Sequence, residues 1–330
     1  MPDFEKDLSQ DYNVKNEEKS HIPVMMREVL HYLAPQNGKT YVDATFGGGG
    51  YSEGILKEEK THVFAIDRDP QAQIPARLLA EKFPDRFQFM VGNFAEMETL
   101  LQEKGISHVQ GIVFDLGVSS PQIDCAERGF SFQKEGPLDM RMGEGGLSAA
   151  EVVNTFSEAD LADIFYYYGD ETKSRKVAHF IVKSRVYKEI RTTFDLSEII
   201  HSVLGRRSGK IDSATRVFQA LRIYINDELG ALEKGLEASL KVLSPGGHLV
   251  VVTFHSLEDR IVKNFFKKHS ENQEEFVSPY YKDQETSHSL PPLILLTRRV
   301  VHPNSQEISQ NPRSRSAKLR AVLRTESFFK

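Results

Sequence analysis

The sequence lacks the features that would place it in several common classes of protein. Its 330 residues include a single cysteine, Cys125, so it can form neither an internal disulfide nor a cysteine-rich zinc site. Its longest apolar runs, 249–254 and 293–296, are far shorter than the roughly 20 residues of a membrane helix. Residues 1–18 are polar and acidic, unlike a secretory signal. These absences predict a soluble, cytoplasmic protein with a disordered leader over residues 1–20.

Charge is unevenly distributed along the sequence. The formal net charge is only −5, yet residues 173–222 contain twelve Lys or Arg against four Asp or Glu. A second basic cluster lies near the end of the chain, at Arg313, Arg315, Lys318, Arg320 and Arg324. Such segments neutralise phosphate groups in nucleic-acid-binding proteins, and they also form ordinary solvated helix faces. Charge alone leaves both interpretations open.

Hydrophobic periodicity in the first half of the chain alternates between strands and helices. Four short β-prone segments lie at residues 40–45, 62–66, 87–91 and 111–116. Predicted helices follow the first three, at residues 52–57, 71–81 and 95–103. This alternation predicts an α/β fold with a parallel, doubly wound sheet and right-handed crossovers.

The alternation stops in the middle of the chain and resumes after it. Residues 148–200 have helical periodicity, with start signals such as Ser157 three positions before Asp160. One long helix over 214–243 and an apolar strand over 248–254 then restore the α/β pattern. We expect two last strands at 293–300 and 317–323, and a mobile loop at 267–289. The predicted domains are a sheet domain formed by residues 21–134 and 214–330, and an inserted all-helical domain at 135–213.

Residues directly after the predicted strands are the candidate functional groups, because ligands of open parallel sheets bind beyond the carboxyl ends of the strands. Glycines at 47–50 follow the first strand, and glycine lets the backbone approach a ligand closely. Asp67 ends the second strand, where a carboxylate can accept hydrogen bonds from two ribose hydroxyls. Asp115 ends the fourth. The pattern predicts a nucleoside-containing ligand, although Asp67 also stands where it could cap the helix that starts near Pro70.

The glycine spacing separates three cofactor classes that share this layout. Ser52 stands where a G-x-G-x-x-G dinucleotide motif starting at Gly47 needs its third glycine. A phosphate-binding loop needs Gly-Lys-Ser/Thr, and no lysine follows the glycines before Lys57. With aspartates at the ends of three strands, the predicted pocket is anionic and suits a cationic sulfonium better than a pyrophosphate. The sequence favours S-adenosylmethionine over a dinucleotide or a nucleoside triphosphate.

Six strings of the sequence together resemble those of the RsmH (MraW) family of bacterial methyltransferases. They lie at residues 21–24 (HIPV), 65–70 (AIDRDP), 115–142, 214–222 (ATRVFQALR), 254–260 (FHSLEDR) and 311–316 (NPRSRS), and the match also includes the glycine turn at 47–50. The resemblance implies a seven-stranded Rossmann-like methyltransferase sheet with an inserted all-helical domain that recognises RNA. It also implies methyl transfer from S-adenosylmethionine to N4 of a cytidine in the 16S RNA of the small ribosomal subunit.

The same resemblance implies the cofactor contacts position by position. They are Gly48, Gly49, Gly50, Tyr51, Asp67, Phe94, Asp115 and Gln122. The family often has histidine where this sequence has Tyr51. An aromatic donor is retained there, while any contact specific to an imidazole is lost.

Catalysis needs groups that activate a weak nucleophile. The lone pair of cytosine N4 is delocalised into the ring, and acceptors that draw its hydrogens out of plane restore its nucleophilicity. Asp115, Ser119 and Asp139 are the candidates for this role. His255 is a candidate for taking the released proton or contacting the base, and equally an ordinary structural histidine. No metal is expected.

RNA recognition needs phosphate contacts and, for a flipped base, a stacking platform. The candidates are Arg128, Phe130, Phe132, Arg141, Lys183, Arg185, Arg206, Arg207 and Arg313. Phe130 and Phe132 are candidate platforms or core residues, and Tyr166, Tyr167 and Tyr168 are expected to pack. The expected partner is the 16S RNA within an assembled small subunit, with a homodimer left open. The alternatives are a noncatalytic RNA-binding assembly factor and an NAD-dependent oxidoreductase.

Overall fold

The computed structural model describes residues 23–208, 211–271 and 290–326. The predicted leader lies outside these residues, as does most of the loop predicted at 267–289. The beginning of that loop prediction was wrong, because the helix before it continues to Ser270. The polar residues from Lys267 onwards form its last turn, while Val262 and Phe266 on the same helix are buried.

The described residues form thirteen α-helices. Helices α1 to α5 span Met26–Leu33, Gly50–Leu56, Gln73–Lys82, Met97–Glu103 and Ser120–Asp124. Helices α6 to α9 span Ala149–Thr155, Glu158–Tyr167, Ser174–Arg185 and Thr193–Leu204. The remaining helices, α10 to α13, span Ala214–Asn226, Glu228–Val242, Ser256–Ser270 and Ser305–Gln310.

Seven strands form one sheet in the order β3-β2-β1-β4-β7-β9-β8. The strands β1 to β4 span Thr40–Asp43, His62–Asp67, Phe87–Val91 and Val109–Asp115. Two-residue strands β5 and β6, Arg207–Ser208 and Ile211–Asp212, pair separately. The last three, β7 to β9, span Leu243–Thr253, Leu293–Leu295 and Lys318–Arg324.

The parallel arrangement predicted from the four alternating strands is confirmed for β3, β2, β1 and β4, and the full sheet is mixed. Strand β9 lies between β7 and β8 and is antiparallel to both. The change of direction follows from the end of the strand–helix alternation, because only the short α13 separates β8 from β9. The prediction of a seven-stranded sheet is confirmed.

The two faces of the sheet are both covered by helices. Helices α4, α11 and α12 pack over one face, and α1, α2 and α3 over the other. The central strands are therefore continuous apolar runs, with Val113, Phe114, Val250 and Val251 fully buried. In the part of the chain that the structure describes, none of the helices is both long and apolar enough to cross a membrane.

Helices α6 to α9 form a layer with its own core. That core contains Leu138, Val152, Phe165 and Ile181, and it extends into α10 through Leu221. The predicted helix start at Ser157 is confirmed, since its side chain accepts a hydrogen bond from the Asp160 N–H. The boundaries predicted for an inserted domain at 135–213 stay a prediction.

Two sequence-based expectations in this layer were wrong. The single helix predicted over 214–243 is divided by Asp227, whose left-handed backbone (φ 47°) ends α10 and starts α11. Tyr166 and Tyr167 do not pack as expected, because both side chains are more than half exposed on α7. Helical periodicity alone does not report a break that is imposed by contacts from elsewhere in the chain.

The buried Asn226 explains where the break falls. Its Oδ1 accepts a hydrogen bond from the Met142 N–H at 2.8 Å, and its Nδ2 donates to the Met140 carbonyl at 2.8 Å. The Arg68 guanidinium donates to the carbonyl of Asn226 at 2.6 Å. The end of α10 is thereby fixed to both the 115–142 region and the end of β2.

We expect Asn226→Ala to lower the free energy of unfolding by about 2–3 kcal/mol, because it leaves a buried N–H and a buried carbonyl without partners. Urea unfolding followed by circular dichroism measures this. The matched control is Asn264→Ala, an exposed asparagine on α12. An equal, small effect of both substitutions would contradict the role of Asn226.

Candidate active site

A cavity of about 400 Å³ opens at the carboxyl ends of the parallel strands. It is lined by the glycine turn after β1, by Asp67 after β2, by Phe94 after β3 and by residues 115–123 after β4. The volume is within the range of small-molecule sites, and the position is the one that open parallel sheets use for ligands.

Hydrogen bonds to the Asp43 carboxylate stabilise the glycine turn. This carboxylate is fully buried and accepts hydrogen bonds from the Thr45 N–H, the Ser52 N–H and the Ser52 hydroxyl. Burial raises the pKa of Asp43 to about 6. Gly49 has φ +80°, and a Cβ there would lie 2.7 Å from Cζ of Phe46. Gly49 therefore packs towards the core and does not line the cavity, unlike its neighbours Gly48 and Gly50.

The Asp67 carboxylate is oriented by the backbone on both sides. Its Oδ2 accepts a hydrogen bond from the Gly47 N–H at 2.7 Å, and its Oδ1 accepts one from the Asp69 N–H at 2.8 Å. Burial raises the pKa of Asp67. The helix cap is Asp69, which accepts from the Gln71 N–H, so capping does not account for Asp67. Each Asp67 oxygen retains a lone pair for a ligand hydroxyl.

The Asp115 carboxylate faces the same cavity. Its Oδ1 is buried and has no hydrogen-bond partner among the described residues. Burial raises the pKa of Asp115 well above its usual range, and the carboxylates of Asp43 and Glu258 add to this effect. A buried polar atom without a partner is uncommon in proteins, which makes this oxygen a candidate ligand contact.

A second polar wall of the cavity was not predicted from the sequence. Arg222 forms two hydrogen bonds to Glu228, Nε to Oε1 at 2.7 Å and Nη2 to Oε2 at 2.8 Å. Glu258 lies beside them and accepts from the Phe254 N–H at 2.8 Å. Burial alone would raise the pKa of Glu258, but the His255 side chain, the Phe254 N–H and Arg222 hold it below its usual value.

Two of these wall residues lie in strings that the sequence analysis had singled out. Arg222 ends ATRVFQALR, and Glu258 lies within FHSLEDR. Glu228, His255 and Glu258 offer ligand atoms within 4.8 Å of one another, a spacing that a metal ion could bridge. The Arg222 guanidinium already neutralises both oxygens of Glu228, which makes a protein ion pair the simpler reading.

The predicted cofactor residues Phe94 and Gln122 also line the cavity. The Phe94 ring packs edge-on against Phe114, with 5.3 Å between ring centroids. Gln122 accepts from the Ser119 N–H at 3.0 Å and donates to Asp69 at 2.8 Å. Gln122 therefore connects the loop after β4 to the end of β2, and its role in cofactor binding stays a prediction.

The candidate catalytic residues are only partly brought together. Asp115 and Ser119 line the cavity, whereas Asp139 and His255 are not among its lining residues. Asp139 forms a two-bond pair with Arg141, at 3.0 and 2.7 Å. His255 caps α12 through its ring, and its Nε2 lies 3.1 Å from Oε1 of Glu258. The catalytic assignments of Asp139 and His255 remain untested predictions.

The candidate RNA-binding residues fall into two groups. Some are engaged inside the molecule: Arg128 pairs with Asp69 at 2.8 Å, Arg141 pairs with Asp139, Arg185 donates to the Val153 carbonyl, and Phe130 and Phe132 pack against the helical core. Others are accessible: Lys183 and Arg206 are exposed, and Arg313 lines the mouth of the cavity beside Ser120 and Asp124. The side chain of Arg207 lies outside the described residues.

Comparison with known proteins gives consistent matches over nearly the whole chain. The family model described as the MraW methylase family matches residues 18–325. The Ribosomal RNA small subunit methyltransferase H of Maricaulis maris is 52% identical over 307 residues, which cover 93% of this chain and 92% of that protein. The proteins of the same name from Rhodospirillum rubrum and Rickettsia massiliae are 52% identical over 309 residues and 50% identical over 304 residues. These two matches cover 93% and 92% of this chain, and 94% and 98% of the relatives.

The resemblance inferred from the six sequence strings is thus confirmed by matches that span both the sheet domain and the helical layer. The carboxylates and the glycine turn of the cavity all lie within the matched residues. The chain belongs to the MraW methylase family.

Proposed function

We propose that this protein methylates N4 of a cytidine in the 16S RNA of the small ribosomal subunit, with S-adenosylmethionine as the methyl donor. The observation that carries the proposal is the convergence of the glycine turn, Asp67 and the unpartnered Asp115 oxygen on one cavity. The names of the relatives, which are ribosomal RNA small subunit methyltransferases, support the substrate class.

The residues that are present fit this cofactor. The Asp67 carboxylate is oriented to accept the two ribose hydroxyls, and the ring of Phe94 provides an apolar surface for the adenine. The turn at 47–50 lets the backbone approach the methionine part closely. Asp115 provides negative charge for the cationic sulfur. When bound, S-adenosylmethionine supplies a methyl group on a positively charged sulfur that leaves as a neutral thioether.

The protein's contribution to the reaction is mainly positioning. With both reactants bound, the cavity walls would align them for transfer, and little acid–base assistance would be needed because the leaving group is neutral. Bound S-adenosylmethionine would supply its methyl carbon to the N4 lone pair, the sulfur would keep the bonding pair, and N4 would have one proton to release. The Oδ1 of Asp115, which has no partner among the described residues, is our candidate to accept a hydrogen bond from N4 and then this proton.

Nucleoside mass spectrometry tests the reaction directly. Small subunits from an unmodified source, incubated with this protein and labelled S-adenosylmethionine, are expected to yield labelled N4-methylcytidine. Asp67→Ala should weaken cofactor binding by about 1–3 kcal/mol, because it removes charge-assisted hydrogen bonds, and should lower the yield accordingly. Ser202→Ala, an exposed serine on α9, is the matched control.

The outcomes separate this proposal from its alternatives. If the cofactor binds but no label enters the RNA, the methyltransferase assignment stands, and the proposed substrate or its assembly state is rejected. Binding of NAD in place of S-adenosylmethionine would favour an oxidoreductase. RNA binding without any cofactor binding would favour a noncatalytic assembly factor. The proposal also includes contact with an assembled small subunit and a cytoplasmic location.

Cofactor affinity should depend on pH, and the buried carboxylates determine whether it rises or falls as pH increases. A cationic ligand favours the ionised forms of Asp43 and Asp115, whose pKa values are raised by burial, so binding releases protons. Affinity for S-adenosylmethionine should therefore rise as pH increases from about 5 to about 8, and affinity for S-adenosylhomocysteine, whose sulfur is neutral, should rise less. Calorimetric titration of both ligands measures the two slopes. Equal slopes would contradict this placement of charge.

One face of α8 supports an RNA contact better than most of the residues singled out from the sequence. Its exposed positions Arg175, Lys176, Phe180 and Lys183 are spaced one helical turn or less apart, and Tyr187, 83% exposed, follows the helix end. The opposite face of α8 is buried. We call these five residues the α8 face. It combines phosphate-binding cations with aromatic rings that can stack on bases.

Replacing Arg175, Lys176 and Lys183 together by Gln should weaken RNA binding and reduce the slope of log affinity against log salt by about 2–3. The matched control replaces three exposed lysines of the sheet domain, Lys57, Lys60 and Lys104. Cofactor affinity should not change in either variant. Filter binding of 16S RNA fragments over a salt series measures the slopes, and an unchanged slope would make the α8 face an ordinary solvated surface.

A further inference from the structure

Residues 23–25 cross the glycine turn and form one edge of the cavity. Pro23 and Val24 both line it. A Cβ on Gly50 would lie only 2.0 Å from Cγ of Pro23, so the segment is in direct contact with the turn. We call residues 23–25 the strap. Any ligand held between the turn and the loop after β4 is bordered by the strap on one side.

Two hydrogen bonds from distant parts of the chain hold the strap. The Tyr51 hydroxyl, on α2, donates to the carbonyl of Val24. The carboxylate of Glu307, on α13, accepts from the Met25 N–H at 2.6 Å. Tyr51, Val24 and Met25 are all buried. The Tyr51 hydroxyl is therefore already engaged by the protein, while its ring faces the cavity.

The strap is held in an unfavourable backbone conformation. Met25 has φ 53° and ψ 32°, the left-handed region that residues with a side chain seldom adopt. Such a conformation persists only where surrounding contacts enforce it. The charged hydrogen bond from Glu307 acts directly on the peptide N–H of this residue, so its loss lets the backbone at Met25 relax.

Glu307 also connects the strap to the mouth of the cavity. Glu307 lies on α13, and the chain continues from this helix into Asn311 and Arg313, which line the cavity. Arg313 in turn donates to Asp124 at 2.6 Å, in the helix that carries Gln122. The strap, the mouth and the loop after β4 are thus held together around one opening.

We infer that Tyr51 and Glu307 are positioning residues that hold the strap across the cofactor site and so set how fast S-adenosylmethionine leaves it. This inference rests on the proposed function only in the identity of the ligand. The two residues act through the strap, with Tyr51 bonded to the protein through its hydroxyl and Glu307 contacting only the Met25 N–H among the strap residues.

The test is the rate at which labelled S-adenosylmethionine leaves the full-length protein after a chase with unlabelled cofactor. Tyr51→Phe and Glu307→Ala should each speed dissociation by about 3- to 10-fold, the effect of one lost buried hydrogen bond. Glu307→Gln keeps an accepting oxygen for the Met25 N–H and should restore most of the slow rate. The double variant should be little faster than the faster single variant, because both substitutions release the same segment.

Two controls separate this effect from general destabilisation. Tyr41→Phe removes another buried hydroxyl, one that accepts from the Gln36 N–H and does not line the cavity. Gln306→Ala changes an exposed neighbour of Glu307 on α13. Both controls should leave the dissociation rate unchanged.

The inference would be overturned if S-adenosylmethionine left Tyr51→Phe and Glu307→Ala at the rate of the unaltered protein. It would also be overturned if the two rate increases multiplied in the double variant. Failure of the unaltered protein to bind S-adenosylmethionine would instead reject the proposed function.

Discussion

The need to satisfy buried carboxylates at the ends of β1, β2 and β4 determines the local structure of the cavity. Burying a carboxylate without partners costs several kcal/mol, so each needs donors. Asp43 obtains them from Thr45 and Ser52, which fixes the glycine turn, and Asp67 obtains them from backbone N–H groups. Of these three carboxylates, Asp115 keeps an oxygen without a partner among the described residues. The geometry of the glycine turn and the Asp115 oxygen that is left for a ligand follow from the same requirement.

The same edge of the sheet is connected to the helical layer by buried polar contacts. Asp69 accepts from both Gln122 and Arg128, and Arg128 also donates to the carbonyl of Arg141. Asn226 fixes residues 140–142 from the other side. The region between β4 and α6 is therefore a packed connection between the cavity and a helical surface with exposed cations. Arg128, which the sequence suggested as a phosphate contact, is a main part of that connection.

Local patterns in the sequence predicted the elements well where local forces dominate. The bounds of β2 and β3, the capping serine at Ser157 and the glycine turn all follow from hydrophobic runs and short-range hydrogen bonds. The break at Asp227 and the wall formed by Arg222 and Glu258 did not follow. The break depends on the distant residues Met140 and Met142 that Asn226 binds, and the wall depends on the fold bringing Arg222 beside Glu258 of α12; neither helical periodicity nor residue type reports these arrangements. The exposure of Tyr166 and Tyr167 escaped prediction for a related reason, since the buried face of α7 is decided by its packing against α8.

Strand β9 has a consequence for how the molecule folds as it is synthesised. It inserts between β7 and β8 and pairs with β7 along six consecutive positions, yet it comes from residues 318–324. Until that segment emerges, a nascent chain exposes the β7 edge and the apolar side chains that β9 covers. Edges of this kind pair with other chains when left open. A chain in which β9 has not yet paired with β7 is therefore open to edge-to-edge association through β7.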